Sequence, residues 1–183
     1  TSVTEASTEK PTEETTVPLI SYPEKTADTV PFGEEYDVKN AVLINVDDNV
    51  IVADKDSSVK MYPASLTKVM TLIVAVENTA DLSERVEITH EMVASMIDLE
   101  ASRAGFEPGE TPTMHEVLYG MILTSGGDAS LAAAEHIAGS EEAFVELMNN
   151  KAEELGLKCT HFTNTVGLHD ENHYSTAEDM ALI

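Results

Sequence analysis

The 183 residues carry 34 acidic and 10 basic side chains, for a formal net charge of −24 at pH 7, and 42% of them are apolar. That charge speaks against a nucleic-acid or anionic-membrane surface as the partner, because phosphate groups repel it, and solubility accounts for it more simply. The apolar fraction is enough for the core of one domain, and the single cysteine, Cys159, rules out an internal disulfide framework and reads as a buried or half-buried thiol.

The opening stretch, TSVTEASTEKPTEETTVP, is built from Thr, Glu, Ser and Pro and has little to bury, so residues 1–37 are expected to form a disordered leader. It starts at Thr1 with neither a methionine nor a signal-peptide pattern, a start compatible with an exported, processed or trimmed chain. From Val38 the pattern changes. AVLINV and VIVADK, both rich in β-branched residues, flank the turn residues Asp47, Asp48 and Asn49 and predict a β-hairpin. Next comes YPASLTKVMT, in which Ser65 and Lys68 precede an apolar run from Val69 to Val76. The run is too short for a membrane span and predicts a buried helix, with Pro63 suited to its first turn. A spacing of three places Ser65 and Lys68 on one face.

Helix signals dominate the remainder. Thr113 and Glu116 have capping-box spacing before VLYGMIL, predicting a helix over 114–124 that stops at Gly126 and Gly127. Asp128 is the expected cap of SLAAAEHIA, closed by Gly139, and Ser140 the cap of EEAFVELMNNKAEEL, closed by Gly156. Ser175 with Glu178 repeats the capping-box spacing near the end. Met92, Met96, Met114, Met121 and Met148 fall in helical segments and read as core filler. From the residues alone, the architecture is a hairpin joined to a helical cluster, and a two-stranded sheet is marginal unless more strands join it.

Ser65 and Lys68 form the chemically suggestive pair. A serine hydroxyl becomes nucleophilic when a base takes its proton, and a neutral lysine can act as that base. Burial and the positive end of a helix both push a lysine toward neutrality. A lone Ser-x-x-Lys more often caps a helix than catalyses, but Ser125-Gly126-Gly127-Asp128 adds a second serine on a tight turn downstream.

Together the blocks YPASLTKVMT, FEPGETPTMHEVLYGMILTSGGDAS and FTNTVGLHDENHYSTAEDMA, in this order and spacing, closely resemble the serine D-alanyl-D-alanine carboxypeptidases, the low-molecular-weight penicillin-binding proteins. The resemblance covers residues 38–183, read as part of a catalytic domain. It implies an α/β (α+β) β-lactamase/transpeptidase-like fold, an antiparallel sheet with a helical cluster, cut before its C-terminal strands. It also implies a substrate, the D-Ala-D-Ala end of the peptidoglycan stem peptide, and acylation by β-lactam antibiotics. Carried over by motif, Ser65 would be the nucleophile, with its backbone N–H as half of the oxyanion hole. Lys68 would be the general base, and Ser125 would relay the proton to the leaving amine. Gly127 stands in the substrate-binding motif. No cofactor and no metal is implied. The setting implied is extracellular, in the bacterial cell envelope, where such a secreted hydrolase trims the cell wall and influences cell shape; any membrane anchor lies outside this sequence.

Two departures qualify the resemblance. The family's second motif is usually Ser-x-Asn, and Gly127 takes the place of the amide expected to bond Lys68 and the substrate. The third motif, Lys-Thr-Gly, does not occur, and relatives carry it beyond the position of Ile183. Rival readings are a class A-like β-lactamase and a non-catalytic peptidoglycan-binding or sensor domain. His169 and His173 form an H-x-x-x-H that would suit zinc, but no third ligand accompanies them and the stretch reads as a polar loop. Tyr62 reads as a packing residue beside the site.

Overall fold

A computed structural model describes residues 21–183. Three strands and six helices follow in order: β1 (Glu24–Pro31), β2 (Ala41–Asn45), β3 (Val50–Lys55), a 3-10 turn (Ala64–Leu66), α1 (Thr67–Glu77), α2 (His90–Asp98), α3 (Met114–Leu123), α4 (Gly127–Ala138), α5 (Glu141–Glu154) and α6 (Ala177–Leu182). No helix among the described residues is long and apolar enough to cross a membrane.

The hairpin forms as expected, β2 pairing antiparallel to β3 from Ala41 opposite Lys55 to Asn45 opposite Val50. The leader does not run to residue 37. Its first 20 residues lie outside the described part, but Glu24–Pro31 is a strand, paired parallel to β3. The sheet is therefore three-stranded and mixed, in the order β1-β3-β2, rather than a bare antiparallel hairpin. Seven of the eight β1 residues are exposed, so the strand has no apolar alternation that would announce it. What holds it is the otherwise unpaired edge of β3, helped by a Thr29 hydroxyl that donates to the Ile51 carbonyl (2.6 Å) and a Lys25–Asp54 ion pair (2.9 Å).

The core lies in the helical cluster. Met70, Val74, Val117, Met121, Ala132, Ala133, Phe144, Met148 and Phe162 are all essentially inaccessible to solvent, and the five methionines read as core filler are each 3% exposed or less. Helix α1 packs against α3, α4 and α5, and shows its other side, including Val69 and Val76, to solvent. The apolar run thus makes a half-buried helix, not a fully buried one.

Local signals set most helix ends. Thr113 and Glu116 form the reciprocal capping box on α3, Ser140 accepts from the Ala143 N–H to cap α5, and Gly139 closes α4 with φ +82°. Thr89 caps α2 in the same way. Two expected caps are displaced. Helix α4 begins at Gly127 with Gly126 at its cap, because the buried Asp128 carboxylate turns to the backbone N–H groups of Ala104 (2.6 Å) and Gly105 (3.2 Å). At α6 the cap is Thr176, which accepts from Asp179 N–H (3.0 Å), while Ser175 bonds Thr160 and Glu178 accepts from Ser57.

Candidate active site

Ser65 sits in the 3-10 turn that opens into α1, following Ala64, whose φ of +48° lies in the left-handed region. Thr67 begins α1, so Lys68 occupies the first helical turn, where four backbone N–H groups lack helical partners and a cation is disfavoured. Ser65 is exposed and Lys68 only 3% exposed. An exposed hydroxyl therefore stands beside an amine shielded from water. Lys68 Nζ donates to Ser65 Oγ at 3.4 Å and, more closely, to the Val166 carbonyl at 2.7 Å. Burial lowers the Lys68 ammonium from the ordinary 10.5 to about 8, so an appreciable fraction is neutral near physiological pH.

The loop 163–168 reaches this turn from below. Gly167 has φ +88°, and a Cβ there would stand 1.9 Å from the Ala64 carbonyl oxygen and 3.0 Å from Ser65 N. Only a residue without a side chain permits that approach. On the same side, Thr67 Oγ1 meets His173 Nε2 at 2.7 Å. His173 Nδ1 accepts from the Thr163 N–H (3.1 Å), so Nε2 carries the ring proton and donates it to Thr67. Burial lowers the His173 pKa from 6.5 to about 4 and keeps the ring neutral. His169 instead packs edge-on against Tyr62, ring centres 4.4 Å apart, and Tyr62 is exposed on the rim and not packed within. Among the described residues no group of three His, Cys, Asp or Glu is placed to hold a metal ion.

Ser125 follows α3 with φ +58°, and its hydroxyl is buried without a hydrogen-bond partner. Of the three residues carried over by motif, only Ser65 and Lys68 are hydrogen-bonded to one another. Lys68 directs its short hydrogen bond to the Val166 carbonyl, and Ser125 bonds neither residue. Gly127 is buried in the first turn of α4 with φ outside the left-handed region, so conformation does not demand glycine there. Space does: a Cβ would come within 2.3 Å of Met96 Sδ and 3.1 Å of Val166 Cγ1. The Met96 thioether fills the volume that a larger residue at 127 would need.

The motifs single out Ser65, Lys68 and Ser125; they give no role to Val166, whose carbonyl binds Lys68, or to Asn164, and they leave Met96 as core filler and His173 as half of a histidine pair. A backbone carbonyl has no signature in sequence. Asn-x-x-Gly in FTNTVGL was the available clue, since Asn and Gly at that spacing mark a tight loop.

The arrangement can deprotonate a serine hydroxyl and stabilise charge at a helix N-terminus, the elements of acyl transfer. The profile of the family described as D-alanyl-D-alanine carboxypeptidase matches residues 24–183. D-alanyl-D-alanine carboxypeptidase DacF of Bacillus subtilis is 45% identical over 152 residues, which cover 81% of this chain and 38% of DacF. Escherichia coli DacA is 34% identical over 160 residues, 84% of this chain and 40% of DacA. The crystal structure of penicillin binding protein 5 from Haemophilus influenzae superposes with a TM-score of 0.74 at 34% identity, covering 79% of this chain and 43% of that one. The fold is thus that of the penicillin-binding proteins and DD-transpeptidases, and the chain spans only 38–43% of the length of DacF, DacA and penicillin binding protein 5.

Proposed function

The chain belongs to the D-alanyl-D-alanine carboxypeptidase family, and from that premise we propose that it forms the nucleophile-bearing part of a serine D,D-carboxypeptidase acting on peptidoglycan stem peptides. The observation that carries this reading is the contact of Lys68 Nζ with Ser65 Oγ at 3.4 Å, the lysine being buried, lowered to about 8 and held from behind by the Val166 carbonyl. Ser65 Oγ attacks the carbonyl carbon of the D-Ala-D-Ala bond as Lys68 takes its proton. The tetrahedral oxyanion faces the Ser65 N–H at the helix N-terminus. Collapse of the intermediate breaks the C–N bond, and the departing D-alanine nitrogen takes up the proton that Lys68 holds; a relay through Ser125 requires its hydroxyl, which bonds no group here, to turn toward Lys68. Water then attacks the acyl-enzyme and frees Ser65. A β-lactam presents a strained amide to the same serine and acylates it.

The site's other requirements, a cation for the substrate carboxylate and a second oxyanion N–H, fall to the Lys-Thr-Gly motif, which these 183 residues do not contain. The proposed setting is the exterior face of the bacterial cell envelope, because cross-linkable stem peptides are there. The profile match is to carboxypeptidases, so the β-lactamase reading is not favoured. The test is release of D-alanine from a D-Ala-D-Ala peptide by the full-length protein and by its Ser65→Ala variant. Release that depends on Ser65 supports the reading. Equal release by both, or none by either, contradicts it.

A further inference from the structure

We propose that Asn164 is a positioning residue for the general base, acting through the loop whose Val166 carbonyl holds Lys68. The Asn164 side chain organises the whole loop: Oδ1 accepts from the backbone N–H groups of Val166 (3.2 Å), Gly167 (2.7 Å) and Leu168 (3.0 Å), while Nδ2 donates to the Leu168 carbonyl (2.9 Å). One amide therefore satisfies four backbone groups and folds the chain back on itself. Turned this way, the loop aims three backbone groups at the start of α1. The Val166 carbonyl accepts from Lys68 Nζ, the Thr165 carbonyl accepts from Thr71 Oγ1 (2.8 Å), and Gly167 abuts Ala64 and Ser65. Glu141, at the head of α5, fixes the outer side by accepting from both Thr165 N and Thr165 Oγ1 at 2.8 Å.

The Val166 carbonyl matters because of how a neutral amine is built. Its nitrogen has two N–H bonds and one lone pair, and only the lone pair can take the serine proton. With one N–H committed to Val166 at 2.7 Å, rotation about the Cε–Nζ bond is restricted and the lone pair can be kept toward Ser65 Oγ. The loop also keeps water from the amine. The groups bonded to Lys68 are the Ser65 hydroxyl from the 3-10 turn and the Val166 carbonyl from the loop. Among the described residues no carboxylate pairs with it. Burial is accordingly what sets its titration, and a loosened loop that admits water moves Lys68 back toward the ordinary lysine range.

The kinetic consequence of this inference rests on the acyl-transfer reading above, whereas its titration does not. In the full-length protein, lysines labelled with carbon-13 at Cε are titrated by NMR, the Lys68 signal being the one that Lys68→Arg removes. Asn164→Ala is expected to raise the Lys68 pKa by about one unit. That cuts the neutral fraction at pH 7 about tenfold, and acylation by fluorescent penicillin should fall by the same factor, with its pH profile displaced to higher pH. Asn164→Ser, whose hydroxyl can still accept from the N–H two residues on, should give a smaller displacement in the same direction and carries the test if the alanine variant does not fold. A folded variant in which Lys68 titrates as in the wild type overturns the proposal. Wild-type protein that penicillin fails to label overturns the acyl-transfer reading instead, and the titration still decides the part played by Asn164.

Discussion

The helical cluster and the sheet are stabilised in opposite ways. In the cluster, Met70, Ala75, Met114, Met121, Ala133, Phe144 and Phe162 are fully buried, and α2, α3 and α5 each start at a side-chain cap. In the sheet only Ile51 and Ala53 are buried, whereas Val30, Leu43 and Val52 are 41–53% exposed. Backbone pairing to β3 and a few side-chain bonds to the helices, such as Ser57 to Glu178 (2.6 Å), hold it in place. The site lies on the helical side of this division. Catalytic geometry demands positions fixed to fractions of an ångström, and close-packed helices supply that rigidity where a sparsely covered sheet does not.

Truncation at the centre of the cluster should have the largest effect. Phe144→Ala removes a fully buried ring and should cost about 3–5 kcal/mol, measured by denaturant unfolding. Where the site meets the cluster, Gly167→Ala places a Cβ into the Ala64 carbonyl and should cost roughly 3 kcal/mol. Gly139→Ala also sits at positive φ but has nothing within 4 Å, so it should cost only about 1 kcal/mol. Equal effects at these two glycines would mean that the loop's close approach to Ser65 is not what constrains residue 167.

The buried His173 adds a pH dependence. Its folded pKa of about 4 lies below the ordinary 6.5, so the unfolded chain takes up a proton that the folded chain refuses. This contribution is fully present above pH 6.5 and is lost as pH falls toward 4, by up to about 3 kcal/mol at 1.36 kcal/mol per unit. His173→Gln should flatten that part of the stability profile. An unchanged profile would indicate that other groups govern acid sensitivity.

Gly127→Asn tests the contact of Met96 with Gly127. Met96 Sδ must move to admit the side chain, so the single variant should lose about 1–3 kcal/mol by overpacking. Pairing it with Met96→Ala should recover part of that loss, and strict additivity in the double-mutant cycle would contradict the contact. The smallest effect belongs to the sheet: Leu43→Ser, at 51% exposure, should change stability by less than about 1 kcal/mol.

The same division governs how far the sequence could be read. Helix ends at Thr113, Gly139 and Ser140 were legible because capping is local, needing only residues three or four apart. The hairpin was legible for a similar reason. Strand β1 was not, because its residues carry no apolar alternation and its cause is a distant partner edge. Asp128 and Ser175 misled because each is a sound cap in isolation, and tertiary bonds to Ala104, Gly105 and Thr160 claimed their side chains. At the site, the spacing of Ser65 and Lys68 was enough to place them together. The Met96 thioether against Gly127 and the Val166 carbonyl behind Lys68 depend on how α2 and the loop 163–168 pack, which no short motif encodes.

The central claim is that Ser65 is a nucleophile activated by Lys68, and the most direct test is mass spectrometry of the full-length protein after incubation with penicillin at a series of pH values. The account predicts one covalent adduct, mapped to the peptide containing Ser65 and absent from Ser65→Ala. Its formation should speed up about tenfold per unit as pH rises toward the Lys68 pKa of about 8 and level off above it. An adduct that persists in Ser65→Ala, or a rate indifferent to pH between 6 and 8, would contradict it.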